Sequence, residues 1–112
     1  MSASPGGKER SGSVTNGEQD GAEPRAAHWL VSGRVQGVGF RWYVSMAAER
    51  HQLGGDVRNL PDGRVEIRTR GPERDVRLLW EEVKRGPGSS RVDHVEELVP
   101  DPTLCFDGFR IR

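Results

Sequence analysis

Cysteine is nearly absent from this chain of 112 residues, in which Cys105 stands alone. A single cysteine excludes an internal disulfide, so we expect a reduced, structural thiol in a cytoplasmic protein. Long apolar runs are missing too. No stretch is long enough to cross a membrane, and the front of the chain lacks the apolar core of a secretory signal. We therefore expect no membrane partner.

An excess of one charge is also lacking, because 17 lysines and arginines are balanced by 17 aspartates and glutamates. Broad nucleic-acid binding needs a basic surface, so this balance argues against a nucleic-acid partner. A cluster of metal ligands is lacking as well. His28, His51 and His94 are too scattered to form a ligand set, and we expect no metal or other cofactor.

Apolar residues make up 33% of the chain and are scarcest at its front. Residues 1–24 are mostly glycine, serine and acidic or amide residues, with Val14 as the only branched apolar side chain. Such a segment cannot bury enough apolar surface to offset the entropy of ordering it. The sequence therefore predicts a disordered N-terminal tail over residues 1–25 and one domain over residues 26–112.

Periodicity and turn residues divide that domain into two helices and five strands. The predicted strands are Trp29–Ser32, Asp56–Asn59, Arg64–Arg70, Arg91–Leu98 and Phe106–Ile111, and the predicted helices are Arg41–His51 and a segment from Glu73 to Gly86. The order β-α-β-β-α-β is typical of the ferredoxin-like split βαβ pattern. We expect an α+β sandwich: an antiparallel sheet with two helices on one face, water on the other, and a short C-terminal strand.

The register of the central hairpin, that is, which residues of its two strands face each other, can be predicted from the sequence. Pro61, Asp62 and Gly63 suit a type I turn followed by a left-handed glycine, which pairs Leu60 with Arg64. Counting outward, the facing pairs are Asn59 with Val65, Arg58 with Glu66, Val57 with Ile67, and Asp56 with Arg68. Apolar residues then meet on the core face, and opposite charges meet on the face expected to be exposed to water.

A glycine-rich loop precedes the first predicted helix. Gly37 and Gly39 allow sharp backbone bends and close approach of a ligand, and Arg41 follows at the helix start. Free N–H groups and the helix dipole at that position favour an anion, and a guanidinium can fork onto phosphate oxygens. No Gly-Lys-Ser/Thr follows, so the loop is not a nucleotide P-loop. The alternative is a tight turn beside a solvated arginine.

Two linked motifs resemble the signatures of the acylphosphatase family. Gly33–Arg41 (GRVQGVGFR) matches G-x-V-Q-G-V-x-F-R at every fixed position. Gly55–Asn59 (GDVRN), followed by a turn and Gly63–Glu66 (GRVE), matches the second signature, except that Asp56 stands where the family usually has tryptophan. Since Asp56 is expected on the open face beside Arg68, the exchange need not damage the site.

The resemblance implies an enzyme that hydrolyses acyl phosphates to carboxylate and phosphate by in-line attack of water, without a metal. It implies that Arg41 binds the phosphoryl group and that Asn59 holds the attacking water. The loop residues implied in phosphoryl binding are Val35, Gln36, Gly37, Val38, Gly39 and Phe40. We expect the partner to be a small acyl phosphate and the protein to be a monomer.

Two alternatives keep the same fold. One is a non-catalytic acylphosphatase-like module that binds an anion or a protein partner; the other is an RNA-binding sheet of the RRM type. The second is disfavoured because its aromatic signature belongs on a middle strand, whereas Gly37–Phe40 precedes a helix. Trp42 or Tyr43 is expected to border the substrate opening. Gln52 stands where the family commonly has the glycine that ends the first helix, which predicts a strained or shifted cap.

Overall fold

The computed structural model describes residues 21–112, and these fold into two helices and five strands. In chain order the elements are β1 (Pro24–Arg34), α1 (Phe40–Arg50), β2 (Gly54–Asn59), β3 (Val65–Pro72), α2 (Glu73–Arg85), β4 (Arg91–Leu98) and β5 (Phe109–Ile111). The predicted order is confirmed. The tail predicted over residues 1–25 lies, for residues 1–20, outside the described residues. Within residues 21–112, no helix is long and apolar enough to span a bilayer.

The strands form one sheet in the order β4-β1-β3-β2-β5. The first four strands pair antiparallel, as expected, but β5 runs parallel to β2, so the sheet is mixed. The strand β1 is longer than predicted, because Pro24 already pairs with Pro72 at the end of β3. The strand β5 is shorter than predicted and starts at Phe109 rather than Phe106.

The core lies between the two helices and one face of the sheet. The apolar face of α1 supplies Val44, Ala47 and Ala48, all fully buried. The helix α2 buries Val76, Leu79 and Val83, while its partly buried Trp80 packs edge-on against Trp29, with ring centroids 5.2 Å apart. The helices therefore cover one face of the sheet, as the amphipathic spacing requires.

The central hairpin has the predicted register. Val57 faces Ile67 on the core side, and Asp56 faces Arg68 on the opposite side. The loop is closed by the N–H of Leu60, which donates to the carbonyl oxygen of Arg64 at 2.8 Å. Gly63 has a φ of 98°, as the predicted left-handed bulge position demands.

The face of the sheet opposite the helices differs from the expectation. Residues 99–106 cross part of it and enclose, with strand residues that include His28 and Arg68, a cavity of about 230 Å³. The guanidinium of Arg68 lies 5.8 Å from the ring centroid of Phe106. Asp56, expected on a water-exposed face, is only 6% exposed. The expectation of an exposed Asp56–Arg68 pair was therefore wrong, because the guanidiniums of Arg68 and Arg112 both lie against the carboxylate.

The helix α1 ends in a Schellman arrangement. The N–H of Leu53 donates to the carbonyl of Ala48 at 2.9 Å, and the N–H of Gln52 donates to the carbonyl of Glu49 at 3.0 Å. Gln52 occupies the left-handed position, with a φ of 57°, and is the only non-glycine residue with positive φ among residues 21–112. The predicted strain at this cap is thus located at Gln52.

Candidate active site

The loop between β1 and α1 forms a bent segment that leads into a free helix N-terminus. Gly37 and Gly39 have φ angles of 75° and 79°, which side chains with a Cβ rarely adopt. The carbonyl of Gly39 accepts the N–H of Tyr43 at 3.0 Å, the first bond of α1. In the part of the chain that the structure describes, no side chain caps this N-terminus, and its first turn has no acidic residue. The helix dipole and the unpaired first-turn N–H groups therefore favour a bound anion here.

A cavity of about 170 Å³ opens beside this N-terminus. Its lining residues are Val35, Gly37, Gly39, Phe40, Arg41, Trp42, Asn59 and Ile111. The fold thus brings Arg41 and Asn59, eighteen positions apart in the chain, to one cavity with the predicted glycine loop. Gln36 and Val38, also predicted as loop residues of the site, are not part of this lining.

Gln36 instead fastens the loop to the central hairpin. Its Nε2 donates to the carbonyl oxygens of Leu60 and Arg64, at 2.8 Å and 2.9 Å. On the other side, the hydroxyl of Ser89 donates to the carbonyl oxygen of Val38 at 2.8 Å. These bonds hold the loop from two directions, so its shape is fixed by the sheet and by the segment after α2.

Arg41 is the second residue of α1 and is half-buried. Its Nη1 donates to the main-chain oxygen of Arg112 at 3.2 Å. A guanidinium has five N–H donors, so this bond fixes one edge of the group and leaves the others for an anion. Arg41 is the only charged residue that lines the described cavity.

Asn59 ends β2 immediately before the hairpin turn, where it pairs with Val65. Its side-chain oxygen Oδ1 is buried and has no hydrogen-bond partner among the described residues. A buried amide oxygen without a partner is costly, which is why such atoms usually find a partner or a water. The Oδ1 of Asn59 is therefore suited to accept a hydrogen bond from a water or a ligand in the cavity.

Sequence reasoning missed the contribution of β5. Ile111 lines the cavity and Arg112 accepts the bond from Arg41, yet neither was among the predicted site residues. A parallel strand pair with a long connection has no short-range sequence signal, so only the three-dimensional structure reveals it.

Of the two aromatic candidates for the opening, Trp42 lines the cavity and is 63% exposed.

Tyr43 turns away from the cavity. Its hydroxyl donates to the main-chain oxygen of Glu82 on α2 at 2.9 Å, which joins the two helices. Burial raises the pKa of Tyr43, so the phenol stays protonated as a donor at neutral pH. Tyr43 is therefore a structural residue rather than a border of the opening.

Two histidines contact acidic residues away from this cavity. His28 contacts Glu66 at 2.8 Å and His51 contacts Glu82 at 2.7 Å. Among residues 21–112 there is no group of three or more histidine, cysteine or acidic side chains that could hold a metal ion. The chemistry available at the cavity is therefore that of an arginine, a helix N-terminus and an amide.

Comparison with known proteins agrees with this geometry. A family model described as Acylphosphatase matches residues 27–111. An acylphosphatase of Koribacter versatilis (strain Ellin345) is 45% identical over 108 residues, which cover 96% of this chain and 91% of the relative. An acylphosphatase of Pseudomonas paraeruginosa (strain DSM 24068 / PA7) is 52% identical over 86 residues, or 76% of this chain and 92% of the relative.

Solved structures of similar fold include acylphosphatases as well. The crystal structure of acylphosphatase from Bacillus subtilis superposes with a TM-score of 0.75 at 38% sequence identity, covering 80% of this chain and 99% of that chain. A likeness at this identity and coverage, together with the match of the family model, makes the assignment firm. The chain belongs to the acylphosphatase family.

Proposed function

We propose that this protein hydrolyses the carboxyl–phosphate bond of acyl phosphates at the cavity lined by Arg41 and Asn59. Three groups meet around one small cavity, and this observation carries the proposal: an anion-favouring helix N-terminus, a guanidinium, and a buried amide oxygen that has no partner within residues 21–112. Arg41 and the N–H groups of residues 35–40 bind the phosphoryl group. Asn59 orients the attacking water.

The reaction needs little more than these groups. Water attacks phosphorus in line with the leaving oxygen, the P–O bond to the acyl group breaks, and one water proton passes to a phosphoryl oxygen, so that the second product is dihydrogen phosphate. A carboxylate carries the electron pair away. Because a carboxylate leaves readily, no strong general acid is required, and catalysis is mainly positioning and stabilisation of charge on the phosphoryl oxygens. A hydrogen bond donated by that water to Asn59 Oδ1 would hold it on the side of phosphorus opposite the acyl oxygen.

We further propose that the reaction needs no metal. The charge that a divalent cation would supply on the phosphoryl oxygens is supplied by Arg41 and the helix N-terminus. Activity is therefore expected to survive a chelator such as EDTA unchanged. Loss of activity in EDTA with recovery on adding a divalent metal would contradict this part of the proposal.

A monomer acting in the cytoplasm is the arrangement that we propose for the working protein. An exposed, free thiol at Cys105 suits a reducing compartment. The cavity is lined by residues of one chain, so one copy can form the site. Analytical ultracentrifugation at micromolar concentration should give the mass of a single chain.

The decisive experiment separates binding from turnover. Arg41→Gln is expected to weaken binding of inorganic phosphate and to abolish turnover, because each lost charge-assisted hydrogen bond is worth about 1.5–3 kcal/mol. Arg41→Lys should restore little, since an ammonium cannot reproduce the planar fork. Asn59→Ala should lower kcat and leave phosphate affinity nearly unchanged, because Asn59 contacts mainly the water.

The measurements are steady-state hydrolysis of an aryl acyl phosphate and phosphate titration by calorimetry, with folding checked by circular dichroism. Arg74 provides a matched control, because it is the second residue of α2 as Arg41 is of α1, and it lies outside the cavity. Arg74→Gln should keep both activity and phosphate affinity. A folded Arg41→Gln protein that still turned over would remove this cavity as the active site. An inactive wild-type protein that binds phosphate would instead support the non-catalytic anion-binding alternative.

A further inference from the structure

The guanidinium of Arg41 is held by a residue that is itself anchored to the edge of the sheet. Arg41 Nη1 donates to the main-chain oxygen of Arg112 at 3.2 Å. The N–H of Arg112 in turn donates to the carbonyl oxygen of Val57 on β2 at 2.8 Å, continuing the parallel pairing of β2 with β5. The place of the acceptor for Arg41 therefore depends on how firmly Arg112 is docked on β2.

The side chain of Arg112 provides a second anchor. Its Nη1 lies 3.3 Å from Oδ2 of Asp56. Asp56 is 6% exposed and also accepts hydrogen bonds from Arg68, whose Nε and Nη2 contact Oδ1 and Oδ2 at 2.9 Å and 2.5 Å, so Arg68 and Arg112 share Oδ2. Asp56 is thus a buried carboxylate that contacts two guanidiniums. One of them belongs to Arg112, whose main-chain oxygen accepts the hydrogen bond from Arg41.

We propose that Asp56 is a positioning residue for catalysis: by fixing Arg112, it holds Arg41 in the orientation that binds the phosphoryl group. The inference rests on the proposed function, because it takes Arg41 as the ligand of the phosphoryl group. An arginine side chain has many rotamers, and a small displacement of a binding group costs much of its effect on rate. By restraining Arg112, whose main-chain oxygen accepts the hydrogen bond from Arg41, the Asp56 carboxylate keeps the Arg41 guanidinium in place before the substrate binds.

The two partners of Asp56 allow this role to be separated from a purely structural one. Arg112, one partner of Asp56, also contacts Arg41 in the cavity. Arg68, the other partner, packs instead against Phe106, on the face of the sheet away from the helices. Both bonds contribute to stability, but only the first reaches Arg41. A change on the Arg68 side therefore serves as a matched control for a change on the Arg112 side.

The experiment compares the full-length wild-type protein with Asp56→Asn, Arg112→Gln, their double variant, and the control Arg68→Gln. Asp56→Asn and Arg112→Gln are each expected to lower kcat/KM for an aryl acyl phosphate by about threefold to tenfold and to weaken inorganic phosphate binding. The double variant should lose no more than either single one, because the two residues act as one link. Arg68→Gln should lower Tm while keeping kcat/KM within about twofold of wild type.

A spectroscopic readout follows Arg41 directly. The ¹⁵N–¹H signal of the Arg41 guanidinium should shift or broaden in Asp56→Asn and in Arg112→Gln, and should match wild type in Arg68→Gln. If Asp56→Asn does not fold, Arg112→Gln tests the same link, because the Arg112 side chain is 42% exposed.

Two failures are distinguishable. Wild-type protein that neither hydrolyses acyl phosphates nor binds phosphate would remove the proposed function. An active wild type, together with Asp56→Asn and Arg112→Gln variants that lose Tm but keep kcat/KM and the Arg41 signal, would overturn only the positioning role of Asp56.

Discussion

Gln52 holds the left-handed conformation that closes the Schellman arrangement of α1, with a φ of 57°. For a residue with a Cβ, this conformation costs about 1–2 kcal/mol. Among residues 21–112, no hydrogen bond of the exposed Gln52 side chain offsets this cost. The strain is therefore local and can be relieved by a single substitution.

Gln52→Gly is expected to raise the free energy of unfolding by up to about 1 kcal/mol, because relief of strain exceeds the extra entropy that glycine gives the unfolded chain. Urea unfolding followed by circular dichroism measures the gain. Gln52→Ala is the matched control, since alanine shortens the side chain but keeps the Cβ, and it should bring no gain. Equal stabilisation by both variants would show that the strain is not at this position.

At the scale of the elements, the register of the β2–β3 hairpin could be predicted from the sequence, but the surroundings of its Asp56 could not. Its register followed from turn chemistry and from the alternation of apolar residues with charges, both of which are local. The burial of Asp56 did not follow. It arises in part from Arg112, which directly follows the parallel strand β5 and whose contact with Asp56 has no short-range sequence signal. The pairing of Arg41 with Asn59 was implied by the resemblance of two short motifs to the acylphosphatase signatures, whereas Ile111 lies outside those motifs and could not be placed.

Because Asp56 is buried, its pair with Arg68 is expected to matter more than an exposed pair. Arg68→Ala should lower the free energy of unfolding by about 1–3 kcal/mol, the cost of leaving a buried charged acceptor with fewer partners. Arg91 and Asp93 provide the comparison, because they form a two-bond pair with side chains 69% and 52% exposed.

Arg91→Ala should cost clearly less than Arg68→Ala, because exposed ion pairs contribute little to stability. Chemical denaturation of the two variants in parallel gives both values. Equal, small losses would mean that water reaches Asp56 freely, contrary to its burial in the fold.

At the scale of the whole molecule, the domain begins before the first predicted strand. The N–H of Glu73 donates to the carbonyl oxygen of Glu23 at 2.8 Å, and the N–H of Arg74 donates to that of Gly21 at 3.1 Å. These bonds supply partners to the N-terminus of α2, which no side chain caps among the described residues. Residues just before β1 are therefore part of the folded unit.

Two truncations test this boundary. Deleting residues 1–20 should leave Tm and kcat/KM nearly unchanged, because that segment has few core-forming residues. Deleting residues 1–25 removes both acceptors and the start of β1, and should cost roughly 1–3 kcal/mol for the two hydrogen bonds. Thermal unfolding of the two proteins decides the point. A large loss of Tm in the shorter truncation would show that residues 1–20 pack on the domain.

Acid stability depends on Glu66, which lies between His28 and Arg58. Burial acts to raise the pKa of Glu66, but hydrogen bonds from these two partners outweigh it, and the pKa lies below its usual value. Because the pKa of Glu66 is lower in the folded protein than in the unfolded chain, Glu66 stabilises the fold. This contribution is fully present above the pKa of the unfolded chain, about 4.3. That stability is lost as pH falls from there through the folded value.

Glu66→Gln should therefore make the free energy of unfolding fall less steeply between about pH 5 and pH 3. Urea titrations at several pH values give the slope. Glu81→Gln, on an exposed part of α2, makes the same chemical change as a control and should keep the wild-type slope. A Glu66→Gln protein with an unchanged slope would show that Glu66 does not carry this pH dependence.

Gln36 links events at the cavity to a turn that lies outside it. Its amide bonds two carbonyl oxygens that flank the hairpin loop, so an anion that immobilises the glycine loop also restrains Leu60 and Arg64. The N–H of Gly63, which donates to the Leu60 carbonyl at 3.1 Å, is therefore expected to exchange with deuterium more slowly while an anion occupies the site. The exchange rate of this turn then measures the fraction of the protein that holds phosphate, at a position outside the cavity itself.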